Sequence, residues 1–512
     1  MRRALVIGHA IVVILAVAAP SAAAAGGILD PARTRLSRRI DAAVAAAARQ
    51  PRRGIVSVGL AGVPAVLVTS DTTLAGVHAA VPGAVRRPRP GLWELDRLLV
   101  ITRGATLSVA APQVRELRLL SDGSRVAAIV GRNASLRFTG SRGSNLVIHS
   151  WDVTTGAPDA DLEDGRASVS IRGAGRLDAS DTSFEDLGFS EGRDSGVAIM
   201  VPRPDAATDP PYASRPTGTL VRSRFARNVF GAYSYEARDM RWIDNEFVDN
   251  VVYGLDPHDN SDRFLVEGNL AARNGRHGII FSRFCDDNVI RRNRSTHNGW
   301  HGIVIDDGNR ADGPSNGNVI AENEVRDNAK VGISIDGSSR NLIVGNTIDH
   351  QRYGVRLIRR SRDNVVRGNT ITRTAADGVF LDGASGTEVR ANVVSSAATG
   401  ARMRDAPGSV VSANTLLGMR RHGVDVDRGD GLPDRGIVVT HNRITGSGPS
   451  SILSDVGPDE LRASDNRERW NYPMIHDVAR ALSWFVGPGL WVLLLLAVVL
   501  GPLPGRIGRL RA

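Results

Sequence analysis

Through the middle of the chain, apolar and polar residues alternate in short bursts with no helical spacing. Ile279 and Phe281, Ile303 and Ile305, Ile333 and Ile335, Val355 and Leu357, and Val379 and Leu381 are each separated by a single residue and follow a glycine. Alternation of this kind marks a strand with one buried face. The glycines stand at 254, 278, 302, 332, 354, 378, 400 and 423. Asparagines keep step at 245, 269, 293, 323, 346, 369, 392, 414 and 442, with gaps of 24, 24, 30, 23, 23, 23, 22 and 28. A period of that length, filled by strands alone, predicts an all-β fold, a right-handed parallel β-helix or solenoid. A leucine-rich repeat has a similar period but needs a leucine consensus that is absent here. The recurring Asn suits a stacked turn, where its amide bonds the next coil. The two long gaps predict inserted loops at Asp307–Asn316 and Arg428–Arg435.

The flanks read differently. Met1–Arg3 is basic, Ala4–Ala18 is apolar apart from Gly8 and His9, and Ser21–Ala25 is rich in small residues. That order predicts an N-terminal signal peptide over 1–25. Residues 26–90 hold a short helical pattern at Pro31–Gln50 and strand-like Gly54–Val85. The β-helix is expected over 91–445, with weaker periodicity in Leu95–Val201 and a Pro-rich loop at Pro202–Pro216. Residues 446–480 read as a linker or cap. Ala481–Gly505 carries no charge and predicts a C-terminal transmembrane helix, densest in Leu490–Leu503, with a basic tail at 506–512. The expected location is therefore the cell surface: exported, and tethered to the cytoplasmic membrane with the solenoid outside.

Composition narrows the function. Aromatics are 5% of 512 residues and Gly numbers 55, which suits many strands and tight turns. The single cysteine, Cys285, leaves no intramolecular disulfide and no Cys-based zinc site. The net charge is +10, but the two termini supply five Arg and no acid, so the middle is 59 basic against 54 acidic. That balance argues against nucleic acid and tolerates a polyanion. Lys330 is the only lysine, and the Arg excess reads as a coding bias toward Arg and Ala.

Stacked coils turn sequence period into spatial columns roughly 4.8 Å apart. Counting from each repeat Gly, Asp256 and His258 face outward on one coil, Ser282 follows on the next and Asp306 on the third. The next position reads Asp259, Arg283, Asp307, and just before each Gly sit Tyr253, His277 and His301. Pro257 breaks the Ile/Val/Leu habit of the neighbouring coils. A neutral His can take a proton near pH 7, and an Arg can grip a carboxylate with two hydrogen bonds. The set suits proton abstraction from a carbon next to a carboxylate, with epimerisation or eliminative cleavage as outcomes of one intermediate. Asp256, Asp259 and Asp306 also leave a carboxylate-pair hydrolase open. So does a non-catalytic carbohydrate-binding surface protein. The acids Asp286, Asp287, Asp306, Asp307 and Asp312 could suggest Ca²⁺, but they lack a calcium-loop spacing and read better as solvated turn acids, so no metal is assigned.

Tyr253-Gly254-Leu255-Asp256-Pro257-His258-Asp259 resembles the signature of mannuronan C5-epimerases, which convert D-mannuronate to L-guluronate within alginate. The periplasmic single-domain branch is the nearest in character. Further similarity runs through Leu92–Val109, Val147–Asp152, Phe184–Phe189, Arg222–Tyr235 and His277–Arg283. The resemblance implies a polyuronate groove and no organic cofactor. It implies His258 as the base, Tyr253 as a proton donor or acceptor, Asp256 as the orienting acid and Arg283 as the carboxylate-neutralising group. Asp259, Arg276, His277, His301 and Asp306 are expected to bind substrate. The expected partners are an anionic polysaccharide and, through the C-terminal helix, a membrane.

Overall fold

The computed structural model describes residues 31–51, 54–122, 127–163, 165–189, 194–201, 215–308, 313–429 and 435–471. The chain divides into two compact units, one ending at Asn341 and one beginning at Leu342. In both, short strands pair in parallel with the equivalent strand one coil away, and three such ladders run side by side. The fold is thus a parallel β-helix, as the alternation requires.

The first ladder of the first unit carries the site. It opens with an antiparallel hairpin, Ile55–Leu60 against Val63–Val68, and continues in parallel through Leu98–Thr102 and Ala128–Arg132. Further on come Phe230–Tyr235, Leu255–His258, Ile279–Ser282, His301–Asp306 and Val331–Asp336. Register is uniform: Ala232, Leu255, Ile279, Ile303 and Ile333 form one inward column. Each of these five is fully buried. On the inner side of another ladder, Phe184, Phe225 and Phe247 stack with centroids 5.2 and 4.9 Å apart.

Buried amides hold the turns. Asn269 Nδ2 donates to the Trp242 carbonyl at 2.8 Å and to Asn293 Oδ1 at 2.9 Å. Its Oδ1 accepts from the backbone N–H and the side chain of Asn245 at 2.9 and 3.0 Å. A second column, Asn250, Asn274, Asn298 and Asn328, repeats the pattern with amide contacts of 2.9 Å. In the second unit Asn346, Asn369, Asn392, Asn414 and Asn442 do the same. The repeat glycines answer to space. A Cβ on Gly254 would lie 2.4 Å from the Gly278 carbonyl and 2.8 Å from Asn274 Nδ2.

Three expectations need correction or restriction. Parallel pairing begins at Val63–Val68 and runs in the second unit to Arg467–Asn471, so coils extend beyond the expected 91–445 on both sides. The Arg excess also has a structural use. Arg222, Arg227, Arg263 and Arg273 each place two guanidinium nitrogens on an aspartate one coil away, Asp181, Asp186, Asp239 and Asp249. Finally, the expected signal peptide, transmembrane helix and basic tail, and most of the expected Pro-rich loop, fall on residues outside the described ones. Among the described residues no helix is long and apolar enough to cross a membrane.

The helix Pro31–Arg49 lies on the outer face of the first ladder. Its Ile40, Ala43, Val44 and Ala47 pack with Ala65, Leu67, Leu98, Val100, Ala128 and Val130. Arg172 reaches back to Asp41 at 2.7 Å and Arg103 to the carbonyl of Ala48 at 3.2 Å.

We predict that Asn269→Ala lowers stability by about 2–4 kcal/mol, because it strands a buried carbonyl and a buried N–H. Removal of the exposed Arg273 side chain costs less than about 1 kcal/mol. Denaturant unfolding of the two variants checks the contrast, and equal losses would overturn it.

Candidate active site

The strand Leu255–His258 ends in a turn where Asp259 and Asn260 have φ of 37° and 53°, and one coil later Arg283 and Phe284 have 65° and 54°. These left-handed pairs stack: Asp259 N–H donates to the Ser282 carbonyl at 2.8 Å and Asn260 N–H to the Arg283 carbonyl at 3.0 Å. The turn therefore delivers Asp259 and Arg283 to adjacent places in one column, just beyond His258. Arg215 braces it from outside, donating to the Asn260 carbonyl at 3.0 Å and to Asp262 Oδ2 at 2.5 Å. Cys285 is buried behind it, with Sγ 3.2 Å from the Ser282 carbonyl and 3.6 Å from that of Pro257. Burial pushes the thiol well up, so it stays protonated and packs as a small apolar group.

His258 Nδ1 meets Asp259 Oδ2 directly, and Arg283 Nη1 lies 3.8 Å from the same oxygen. Side-chain exposures of 20%, 19% and 33% for the three leave the group open on one side. With Nδ1–H engaged by the carboxylate, Nε2 is the ring nitrogen left for a proton. Burial pulls the imidazole pKa down. The hydrogen bond to Asp259 and the charges of Asp256 and Asp259 pull it up, and the balance lies above the ordinary histidine value. Asp256 stands two residues earlier on the same side of the strand, yet is only 2% exposed.

The tyrosine whose ring meets this imidazole is Tyr233, with centroids 6.0 Å apart. Burial, then the charges of Asp256 and Asp259, hold its phenol far above the usual range, so it remains protonated. Sequence reasoning passed over Tyr233, although extending the column of Asp256 back by one coil reaches it. Tyr253 sits elsewhere, in a column of rings at the other end of the strands. It contacts Phe230 at 5.1 Å and stacks on His277 at 5.2 Å, and His277 stacks on His301 at 4.9 Å. His277 and His301 are buried. The structure therefore joins His258, Asp259 and Arg283, sets Asp256 and Tyr233 against them, and gathers Tyr253, His277 and His301 into a second stack, which Phe230 links to Tyr233 with ring centroids 6.0 Å apart. Asp306 pairs in register with Ser282, and its Oδ1 accepts the Gly308 N–H at 2.7 Å. Arg276 belongs with Trp300, 5.2 Å from its ring.

Chemically, an imidazole fixed by a carboxylate and set beside a guanidinium can remove a proton from carbon while the cation steadies a neighbouring anionic group. Among the described residues no cluster of three or more His, Cys, Asp or Glu side chains is placed to hold a metal ion.

Comparison with known proteins bears on the fold and the family resemblance. Two family models match: "Right handed beta helix region" over residues 312–467 and "Periplasmic copper-binding protein (NosD)" over residues 212–353. The fold is thus that of the parallel β-helix proteins. A solved structure of the periplasmic alginate epimerase AlgG has the same fold, with a TM-score of 0.60 and 21% identity over 80% of this chain and 85% of that one. Among curated proteins the chain is similar to mannuronan C5-epimerases. The Pseudomonas syringae pv. tomato protein is 29% identical over 293 residues, covering 56% of this chain and 52% of that protein. AlgG of Azotobacter vinelandii is 30% identical over 272 residues, covering 52% and 49%. The resemblance read from the seven-residue signature is therefore found again across several relatives. The chain spans about half the length of the curated relatives it matches.

We predict that the His258 imidazole titrates above the ordinary histidine value. In Asp259→Asn the midpoint moves down, because the substitution removes a charge that favours the protonated ring. An NMR titration of the ring protons reads both. An unchanged midpoint in the variant would show that Asp259 does not tune the ring.

Proposed function

We propose that the chain is a polyuronate C5-epimerase acting on mannuronan within the polymer. The observation that carries this is the junction of His258 and Arg283 through Asp259, on consecutive coils and open on one side. In the proposed reaction the C5–H bond breaks and its proton passes to His258 Nε2. The electron pair spreads onto the sugar carboxylate, which Arg283 neutralises. A proton then reaches C5 from the opposite face, with Tyr253 or solvent water as the proposed source. Asp259 holds the imidazole tautomer, and Asp256 adds charge that favours the imidazolium formed after abstraction. His277, His301, Arg276 and Asp306 are proposed to line the polymer path.

The similarity to periplasmic relatives supports export, with residues 1–25 as the leader. The uncharged stretch 481–505 is proposed as an anchor that keeps the β-helix outside the cytoplasmic membrane. No residue of the proposed set requires an organic cofactor.

The test is incubation of the protein with polymannuronate in D₂O, read by NMR at H5. Deuterium uptake and new guluronate signals are expected. His258→Ala lowers the rate at least about 100-fold while polymer binding is kept. The rate rises with pH through the imidazole midpoint, since only the neutral ring accepts a proton, and that rise is lost in His258→Ala. Unsaturated chain ends without guluronate, or no exchange on any polyuronate, would overturn the proposal.

A further inference from the structure

Many arginines of this chain are matched by an acid one coil away, as at Arg222, Arg227, Arg263 and Arg273. Arg276 and Lys330 depart from that pattern: among the described residues neither has a carboxylate within ion-pair distance. Both instead converge on Trp300. Arg276 Cζ lies 5.2 Å and Lys330 Nζ 3.9 Å from the indole. Trp300 is one of the few large apolar side chains left exposed, at 37%. The three residues occupy successive rungs of one turn column. Trp300 N–H donates to the Arg276 carbonyl at 2.8 Å, and Lys330 N–H to the Trp300 carbonyl at 2.7 Å. The indole also meets the His277 ring edge-on at 5.5 Å, which ties this column to the ring stack beside it.

Cation–π contacts fix where the two charges stand but do not neutralise them. With Arg276 Cζ 5.2 Å and Lys330 Nζ 3.9 Å from the one ring, the two cations stand no more than about 9 Å apart around the indole. Two unneutralised, pre-positioned cations around an exposed aromatic ring form a receptor for an anion with an apolar face. A sugar acid within a polymer has both. Lys330, the single lysine of the chain, stands at this place.

We infer that Arg276, Trp300 and Lys330 form a docking subsite for an anionic saccharide, with the cations taking successive carboxylates and the exposed indole edge bearing on a sugar ring. The inference rests on the polyuronate reading for the identity of the polymer and deepens it. Arg276 precedes Ser282, the register partner of His258, by six residues. At roughly 3.3 Å per residue the subsite stands up to about 20 Å from the reacting sugar. It therefore grips the chain at a distance from the chemistry and favours long substrates over short ones.

The test uses the full chain carrying His258→Ala, so that bound polymer is not altered, with polymannuronate and a neutral β-linked glucan as probes. Arg276→Ala with Lys330→Ala is expected to weaken polymannuronate binding about ten-fold at low salt, with the loss shrinking as salt is raised. Trp300→Ala weakens it as well, Trp300→Phe less, and Lys330→Arg restores it. Glucan binding does not change. Polymannuronate affinity unchanged in a double variant of normal thermal midpoint would overturn the inference. Absence of polymannuronate binding at the outset, or an equal loss for glucan, would overturn it too. Wild-type epimerisation with variant-insensitive affinity would sink the subsite and leave the enzymatic reading standing. Variant-sensitive binding without epimerisation would do the reverse.

Discussion

The structure depends on the pairing of buried side-chain amides from coil to coil. A turn that packs inside a solenoid leaves backbone N–H and C=O groups away from water, and each must find a partner. An asparagine at the turn supplies an acceptor to the N–H of one neighbour and donors to a carbonyl and to the next amide. Asn269 does all of this at once. Because the rungs from Asn245 to Asn323 and from Asn346 to Asn442 repeat the arrangement, the amide columns there also forbid slippage. A strand displaced by one residue would lose its amide partner and turn its apolar face outward.

That fixed register is what makes the candidate site possible. Asp259 and Arg283 are distant in sequence, yet they meet because each follows its coil's strand by the same number of residues. The left-handed turn residues are spent at the same points, where Asp tolerates the conformation better than a branched residue would. The site is thus a by-product of stacking. Apart from the brace from Arg215, its precision is that of the rungs.

This explains what the sequence made legible. The columns of Asn, Gly and apolar residues were visible wherever coil length stayed near constant, and so was the meeting of His258 with Arg283. The N-terminal coils were legible only as a weaker periodicity, because strands at Leu98, Ala128 and Ser168 are separated by loops of uneven length that blur the period. Asn250, Asn274 and Asn298 form a second amide column that was present in the sequence but unread, since one asparagine series already accounted for the period. Tyr233 was not legible because it lies one coil before the seven-residue signature, outside the motif that marks the site. The division between a His258 group and a Tyr253 stack was not visible either: periodicity tells which residues align between coils, not how far along a strand two side chains stand.

The helix Pro31–Arg49 has a consequence for access. The outward column that holds Tyr233 and Asp256 begins, in the earlier coils, with Val100 and Val130, and the helix roofs those two positions. Between the roof and the site, Ser170, Ala198 and Tyr233 are themselves buried. The helix therefore keeps the outward apolar side chains of the first coils out of water, and leaves Tyr233 and Asp256 beyond its cover.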